Sequence, residues 1–273
     1  MNTLYLVATP IGNLEDLSPR AERILRESTL IAAEDTRVTG KLLAHFNIST
    51  PQTSYYEFSK ASKLDKVLAA LSEGDVALVS DAGTPGINDP GYELVRAALA
   101  AGYEVSPIPG ASAPIAALVA SGLPTDSFLY LGYLPRKSKE RRKKLQEVEN
   151  QPYTLLFLES PHRVLKALDD IERVLGNRKI AVARELTKMY EEFFRGDVSA
   201  AREHFENQAP RGEFTLVVSG KKQDSVKWTE ASLNSAIETG IAAGESPSYL
   251  AKRLAKESGW ARRDVYNLIS LIK

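Results

Sequence analysis

The stretch DVALVSDAGTPGINDPGYELVRAALAAG, residues 75–102, indicates the fold class of this chain. A short apolar run enters a loop that is rich in glycine and proline, and an amphipathic run with helical spacing follows the loop. That order predicts a β-strand, a βα loop and an α-helix. The same unit recurs along the chain, which is typical of an α/β fold with helices packed on a mostly parallel sheet.

The loop of this unit is longer than an ordinary βα connection, whose length is about 2–6 residues. Asp89 and Pro90 fit the cap and the first position of the helix that follows. Asp81, Gly83 and Gly86 are not explained in this way. Because glycine lets a backbone approach a ligand closely, we expect a ligand to lie against this loop.

The order of strands and helices predicts two different sheets. The first half alternates strand and helix from TLYLVA to ASAPIAALVASG, and a seam follows at LPTDS, residues 123–127. In the second half KIAVARE, EEFFRG and GEFTLVV follow one another with little helix between the first two, which favours antiparallel pairing. We therefore predict an α/β fold with a mostly parallel N-terminal sheet, a mixed second sheet and a ligand cleft between them.

These patterns divide the chain into three predicted parts. Residues 1–122 form an N-terminal α/β domain, residues 123–220 form a second α/β domain, and residues 221–273 form a small helical tail. The tail carries apolar residues at helical spacing on both sides of an SGW turn, which gives it the appearance of a helix-turn-helix.

Composition excludes several classes of protein and site. The chain has 35 basic and 35 acidic residues, so a polyanionic partner must be met by local patches. The absence of cysteine excludes disulfides, thiolate metal sites and cysteine nucleophiles. With three histidines we predict no metal centre. The N-terminus lacks a basic signal-peptide region, and no apolar run reaches the roughly 20 residues that span a bilayer.

Charged residues follow three of the predicted strands, in AAEDTR at 32–37, FLESPHR at 157–163 and RELTKMYEE at 184–192. Each segment has two interpretations, and for RELTKMYEE these are ion pairs among its charges or contact with a polar ligand, because unpaired buried charge is costly. Asp35 is able to cap the next helix, and Ser160 with Pro161 is able to start one. Charges at the carboxyl ends of strands are otherwise often site residues, because ligands of α/β sheets bind there.

A basic run, RKSKERRKK at 136–144, contains seven basic residues in nine. It is either a solvated helix face or the electrostatic footprint of phosphate binding. The tail carries further Lys and Arg residues.

Six segments in this order and spacing resemble one known family: TPIGNLEDLSPRA, AAEDTR, SDAGTPGINDPG, PIPGASAPIAAL, FLESPHR and ARELTK. The chain is similar over its whole length to the bacterial 16S ribosomal RNA cytidine-2'-O-methyltransferases. These enzymes are a ribosomal branch of the tetrapyrrole-methylase-like (class III) methyltransferases, which use S-adenosylmethionine. Tetrapyrrole-acting members carry G-x-G-x-G-D after the first strand, whereas this chain has TPIGNLED, which favours the RNA branch.

The resemblance implies S-adenosylmethionine in the cleft, 16S ribosomal RNA or the small ribosomal subunit as partner, a homodimer, no membrane association and a cytoplasmic location. It places the cofactor against Pro10, Ile11, Gly12, Asp81, Gly83, Thr84, Ile87, Asp89, Ser112, Ala113, Leu158, Leu186, Glu213, Phe214 and Thr215. Candidates to accept the proton of the ribose hydroxyl, or to place the acceptor, are Glu34, Asp35, Arg37, Glu159, Lys188 and Glu191. Among these we favour Glu34 and Asp35, and Lys188 qualifies only with a lowered pKa.

Candidates for RNA binding are Arg136, Lys137, Lys139, Arg141, Arg142, Lys143, Lys144, His162, Arg163, Arg262 and Arg263. Two other functions remain open from the sequence. One is a methyltransferase of the same fold that acts on a small molecule, and the other is a non-catalytic RNA-binding assembly factor.

Overall fold

The structure is a computed structural model that describes residues 2–55, 60–89, 91–208, 210–222 and 228–272. The chain forms two compact units, Met1–Lys221 and Lys222–Lys273. The first unit contains two five-stranded sheets, and the second contains three helices. The predicted α/β class, with two sheets of different kinds and a helical tail, is confirmed.

The first sheet is parallel, with strand order β3-β2-β4-β1-β5. Its strands are β1 (Thr3–Val7), β2 (Leu30–Ala33), β3 (Gln52–Ser54), β4 (Val76–Val79) and β5 (Glu104–Ile108). β2 and β4 are buried along their whole length, as expected for strands covered on both faces. β3 was not predicted, because its three residues, QTS, carry no apolar run.

Helices cover both faces of this sheet: α1 (Pro19–Glu27), α2 (Thr36–His45), α3 (Lys60–Glu73) and α4 (Gly91–Ala100), with a short 3-10 helix at Leu14–Asp16. Alternate strand residues point to opposite faces. Ala77 and Val79 therefore join the core beneath α1 and α2, whereas Val76 and Leu78 join the core beneath α3 and α4. Ser18 caps α1, and Pro19 is its first residue.

The second sheet is mixed, with strand order β6-β7-β10-β8-β9. Its strands are β6 (Phe128–Tyr133), β7 (Thr154–Glu159), β8 (Lys179–Arg184), β9 (Glu192–Asp197) and β10 (Phe214–Val218). β6 and β7 are parallel, and every other pair is antiparallel, which confirms the predicted pairing of β8, β9 and β10.

Three helices cover one face of the second sheet: α6 (Ser138–Glu147), α7 (Val164–Leu175) and α8 (Val198–Asn207). The other face packs against α5 (Ala113–Ala120), whose Ala117 and Leu118 contact the core of this sheet. The chain thus passes from β5 of the first sheet to a helix of the second. The domain boundaries drawn at residues 122 and 220 stay predictions.

The second unit consists of α9 (Glu230–Ala242), α10 (Pro247–Ser258) and α11 (Arg262–Ile272) around a small apolar core. α10 ends at Gly259, which has φ 68° and starts the turn into α11. Residues 223–227, near the start of the predicted helical tail, lie outside the described residues. Within the described ranges, no helix has the length and apolar character needed to cross a membrane.

Candidate active site

A cavity of about 300 Å³ opens at the carboxyl ends of the first sheet's strands and is closed on its other side by the second sheet. This is the position at which open α/β sheets bind ligands. Its lining residues are Ile11, Glu34, Ser80, Asp81, Ala82, Gly83, Thr84, Ile87, Asn88, Asp89, Ser112, Ala113, Pro114, Tyr130, Tyr133, Leu158, Glu213, Phe214 and Thr215. We call it the donor cavity.

The loop after β4 forms the floor of the donor cavity and is held by backbone hydrogen bonds. Thr9 and Gly83 exchange N–H···O bonds of 2.9 and 3.0 Å, which tie the β1 loop to the β4 loop. Gly83 has φ +81°, a conformation that side-chain-bearing residues rarely adopt. The Thr84 hydroxyl donates to the Ala111 carbonyl at 3.1 Å, so the loop is also fixed to the segment before α5.

Asp89 closes the far end of the same loop. Its carboxylate accepts hydrogen bonds from the backbone N–H of Gly86 and of Gly91, with a distance of 2.8 Å to the latter. This is the capping role predicted for Asp89, although it also lines the donor cavity. Pro90, predicted as the first helical residue, lies outside the described residues.

A cluster of three carboxylates joins β2 to β4 at this edge of the sheet. Glu34 Oε2 accepts from the Asp81 backbone N–H at 3.1 Å, and Asp81 Oδ1 accepts from the Asp35 backbone N–H at 3.0 Å. Asp35 caps α2 through the Arg37 N–H and forms an ion pair of 2.6 Å with the Arg37 guanidinium. The prediction that Asp35 caps the next helix is therefore confirmed, and Arg37 is its ion-pair partner.

These carboxylates differ in their affinity for protons. Burial raises the pKa of Glu34 and the pKa of Asp81. The hydrogen bond from the Arg37 side chain lowers the pKa of Asp35 to about 2. A general base acts best with a pKa near the working pH, so the raised pKa values of Glu34 and Asp81 suit proton transfer better than the lowered pKa of Asp35 does.

The second sheet contributes residues that the sequence analysis missed. The Tyr130 hydroxyl donates to Asn88 Oδ1 at 2.6 Å and so connects β6 to the β4 loop across the cavity. Burial raises the pKa of Tyr130 to about 12, and it also raises the pKa of Tyr133. The available signal in the sequence was the pair of tyrosines, Tyr130 and Tyr133, within the apolar run of β6.

The lining of the donor cavity suits a cationic ligand. Glu34, Asp81, Asp89 and Glu213 line it, and no lysine or arginine of the described chain is among its lining residues. Nearby negative charge favours a sulfonium group, whereas apolar side chains such as Ile11 suit the uncharged parts of a nucleoside. The residues present therefore fit S-adenosylmethionine.

Several predicted residues do not line the donor cavity. Leu186 is buried against α5 and the second sheet. The other members of this group are the predicted cofactor contacts Pro10 and Gly12 and the predicted catalytic residues Asp35, Arg37, Glu159, Lys188 and Glu191.

The predicted bases of the second sheet serve structural contacts. Glu159 is buried in an ion pair of 3.0 Å with Arg163. Burial opposes the charge of Lys188, but its hydrogen bonds to Glu185 and Glu213 outweigh that effect and raise its pKa. Lys188 therefore lacks the lowered pKa that a lysine base requires. Glu191 accepts from the Thr187 N–H at 2.6 Å and braces the loop between β8 and β9.

Ser160 and Pro161 do not begin α7, which starts at Val164. The Ser160 carbonyl instead accepts from the N–H groups of Arg163 and Val164 and forms the turn that precedes the helix. Arg163 also donates to the Leu134 carbonyl, so its side chain is held between β6 and β7. An Arg163 fixed in this way is a poor candidate for an RNA contact.

The basic run forms α6 and the turn before it, and one member contradicts its predicted role. Arg141 is 4% exposed and bonded to the equally buried Asp170 at 2.6 Å. It also donates to the carbonyls of Pro135 and Arg136 and so anchors the segment between β6 and α6. Arg141 is a structural residue, because it lies on the one face of α6 that enters the core.

The other predicted RNA contacts lie on the surface to different extents. Lys144 is half-buried beside Glu147, and Arg262 donates to the Ser248 hydroxyl within the tail. The exposed members are Arg136, Lys137, Lys139, Arg142, Lys143, His162, Arg262 and Arg263.

Comparison with known proteins defines the class. The family described as Tetrapyrrole (Corrin/Porphyrin) Methylases matches residues 3–202. The chain belongs to this family of methyltransferases, and S-adenosylmethionine is its cofactor, so the family and cofactor predictions are both confirmed.

Two curated relatives are similar over nearly the whole chain, and both are named Ribosomal RNA small subunit methyltransferase I. The protein of Halalkalibacterium halodurans is 49% identical, with 97% of this chain and 94% of the relative covered. The protein of Synechocystis sp. is 48% identical, with 98% and 97% covered.

A solved structure supports the fold. Uroporphyrin-III C-methyl transferase from Thermus thermophilus, in complex with S-adenyl homocysteine, has a TM-score of 0.53 and 20% identity. The alignment covers 79% of this chain and 97% of that one.

Proposed function

We propose that the protein transfers a methyl group from S-adenosylmethionine to the ribose 2'-hydroxyl of a cytidine in 16S ribosomal RNA. The observation that carries the proposal is its identity of nearly one half, over the full length, with relatives named for small-subunit ribosomal RNA. The TPIGNLED loop, which stands where tetrapyrrole-acting relatives have G-x-G-x-G-D, supports an RNA substrate.

S-adenosylmethionine supplies an electrophilic methyl group on a cationic sulfur. The β4 loop and the start of α5 hold it through backbone groups and small side chains, of which Ser112 and Ala113 line the donor cavity. The surrounding carboxylates favour its positive charge. Correct alignment of the two reactants is able to supply about 7–11 kcal/mol of the barrier.

The ribose hydroxyl needs a proton acceptor, and two carboxylates compete for that role. Of the predicted candidates only Glu34 lines the donor cavity, and the structure adds Asp81. Each carboxylate uses one oxygen to hold a backbone N–H group, and Glu34 Oε1 and Asp81 Oδ2 both accept no hydrogen bond from the described residues. Asp81 is the more exposed of the two and so the more accessible to a ribose hydroxyl. It is therefore the proton acceptor in this proposal, and Glu34 positions it.

RNA affinity comes from phosphate contacts by the exposed basic residues of the turn before α6 and of α6 itself. Such contacts make binding depend on salt. The homodimer and the cytoplasmic location implied by the family resemblance are part of the same proposal.

The pH dependence of the reaction provides one prediction. Replacing Asp35 by asparagine removes a nearby negative charge that raises the pKa of Asp81, so the pKa of Asp81 should fall. A base acts only when deprotonated, so the acid limb of the kcat/KM profile should move to lower pH. Asparagine remains a good helix cap, which keeps α2 intact. An unchanged acid limb would show that Asp81 is not the group that titrates.

The function itself is tested with small subunits and free 16S ribosomal RNA from cells that lack this protein. The proposal predicts transfer of labelled methyl to RNA and a 2'-O-methylcytidine on nucleoside mass analysis. Transfer to a small molecule instead would identify the first alternative function. RNA binding without any consumption of S-adenosylmethionine would identify a non-catalytic assembly factor.

A further inference from the structure

A second cavity, of about 240 Å³, lies directly beside the donor cavity. It is formed by the β1 loop on one side and by α2 on the other. Ser80 and Asp81 line both cavities, so the two adjoin at the end of β4. Pro10 and Gly12, which the family resemblance places against the cofactor, line this second cavity.

The two walls of the second cavity are apolar and face each other. Val38 and Leu42 lie one turn apart on α2 and so share a helix face, and Leu14 and Pro10 come from the β1 loop. Leu14 is 39% exposed and Val38 is 40% exposed, so both side chains are accessible to a ligand in the second cavity. Enzymes that act on extruded nucleotides hold the flat base between such apolar side chains.

Thr39, one of the residues that line the second cavity, has a hydroxyl without a partner. The residue is 3% exposed, and its hydroxyl has no hydrogen-bond partner among the described residues. Buried hydroxyls are nearly always hydrogen-bonded, and a hydroxyl is able to donate or accept. The edge of a nucleobase presents such donors and acceptors, and rotation of the Thr39 side chain would bring the buried hydroxyl to it. Lys41, at the exposed rim, suits a phosphate next to the sugar.

We propose that the second cavity holds the base of the acceptor nucleotide, with its ribose beside Asp81 at the junction of the two cavities. The inference rests on the proposed function for the identity of the acceptor. This arrangement explains why Asp81 lines both cavities. A ribose hydroxyl where the cavities adjoin would contact the methyl donor and the Asp81 carboxylate at the same time. The arrangement also explains why an apolar groove is left open next to a charged site.

The test measures binding of cytidine 5'-monophosphate by calorimetry in the presence of saturating S-adenosylhomocysteine. The wild-type protein should bind the nucleotide. Val38→Trp, which fills the cavity from an exposed position, should abolish that binding. Thr39→Val, which removes only the hydroxyl, should weaken it by about tenfold. S-adenosylhomocysteine affinity should stay unchanged in both variants.

Ala44→Trp is the matched control, because Ala44 is an exposed residue of the same helix that does not line the second cavity. It should bind the nucleotide like the wild type. No nucleotide binding by the wild-type protein, or equal binding by Val38→Trp, would overturn the proposal.

Methyl transfer to 16S ribosomal RNA separates this proposal from the broader one. If the RNA is methylated and Val38→Trp retains the wild-type rate, the base-binding cavity is wrong and the function stands. If the nucleotide binds in a Val38-dependent way and no RNA is methylated, the cavity stands and the function is wrong.

Discussion

Replacing Asp81 by asparagine is expected to lower the single-turnover rate of methyl transfer by a factor of about 10²–10⁴, the usual contribution of a positioned general base. Asparagine has nearly the same shape, and its side-chain oxygen is still able to accept from the Asp35 N–H. The variant therefore keeps the loop and loses the proton acceptor. The measurement is rapid-quench transfer of labelled methyl to small-subunit RNA with protein in excess.

Glu34→Gln is the matched comparison, because Glu34 also has a raised pKa and lines the same cavity. Its amide oxygen is able to keep the hydrogen bond from the Asp81 N–H, so we expect a smaller loss than with Asp81→Asn. The reverse order would make Glu34 the base. If Asp81→Asn reduces S-adenosylmethionine affinity as much as it reduces the rate, Asp81 is a binding residue instead.

Replacing Arg141 by alanine is expected to lower the free energy of unfolding by about 3–5 kcal/mol, the typical loss when one partner of a buried ion pair is removed. Asp170, whose side chain is 3% exposed, would keep a buried charge without its closest partner. The carbonyls of Pro135 and Arg136 would also lose a donor. Denaturant unfolding of the full chain measures the change.

Lys143→Ala is the control, because Lys143 is an exposed residue of the same helix. It should change the free energy of unfolding by no more than about 0.5 kcal/mol.

For RNA affinity we expect the reverse order: changes at the exposed basic residues of α6 should weaken binding, and Arg141→Ala should not. Reversing Arg142 and Lys143 to glutamate should reduce the salt dependence of RNA binding, by a slope of about 1 for each lost phosphate contact. A stable Arg141→Ala protein with weakened RNA binding would restore Arg141 as an RNA contact.

Most strands of both sheets could be predicted from the sequence because apolar residues recur at different spacings in strands and in helices. β4 reads as a continuous apolar run, which is what burial on both faces requires. The short interval between β8 and β9 left no room for a crossover helix, so antiparallel pairing followed. β3 was not predicted because it is short and polar, and its position in the sheet depends on its pairing with β2.

The family resemblance named most of the residues that line the donor cavity, whereas local sequence patterns predicted a residue's role only where that role depends on its neighbours in sequence. The cap at Ser18 and the Asp89 contacts depend on neighbours in sequence. The hydrogen bond between Tyr130 and Asn88 joins residues 42 positions apart, and no local pattern encodes it. The burial of Arg141 depends in the same way on where α7 places Asp170.

Calorimetry with S-adenosylmethionine tests whether the loop after β4 holds the methyl donor. We expect one donor site per chain in the wild-type protein. For Gly83→Val, which forces a side chain into a positive-φ position at the cavity floor, we expect an affinity at least about tenfold weaker. Gly102→Val carries the same backbone strain, with φ +84°, at a position that does not line the cavity, and should bind normally. Absence of binding heat in the wild type, or equal affinity of the Gly83 variant, would show that this loop does not hold the donor.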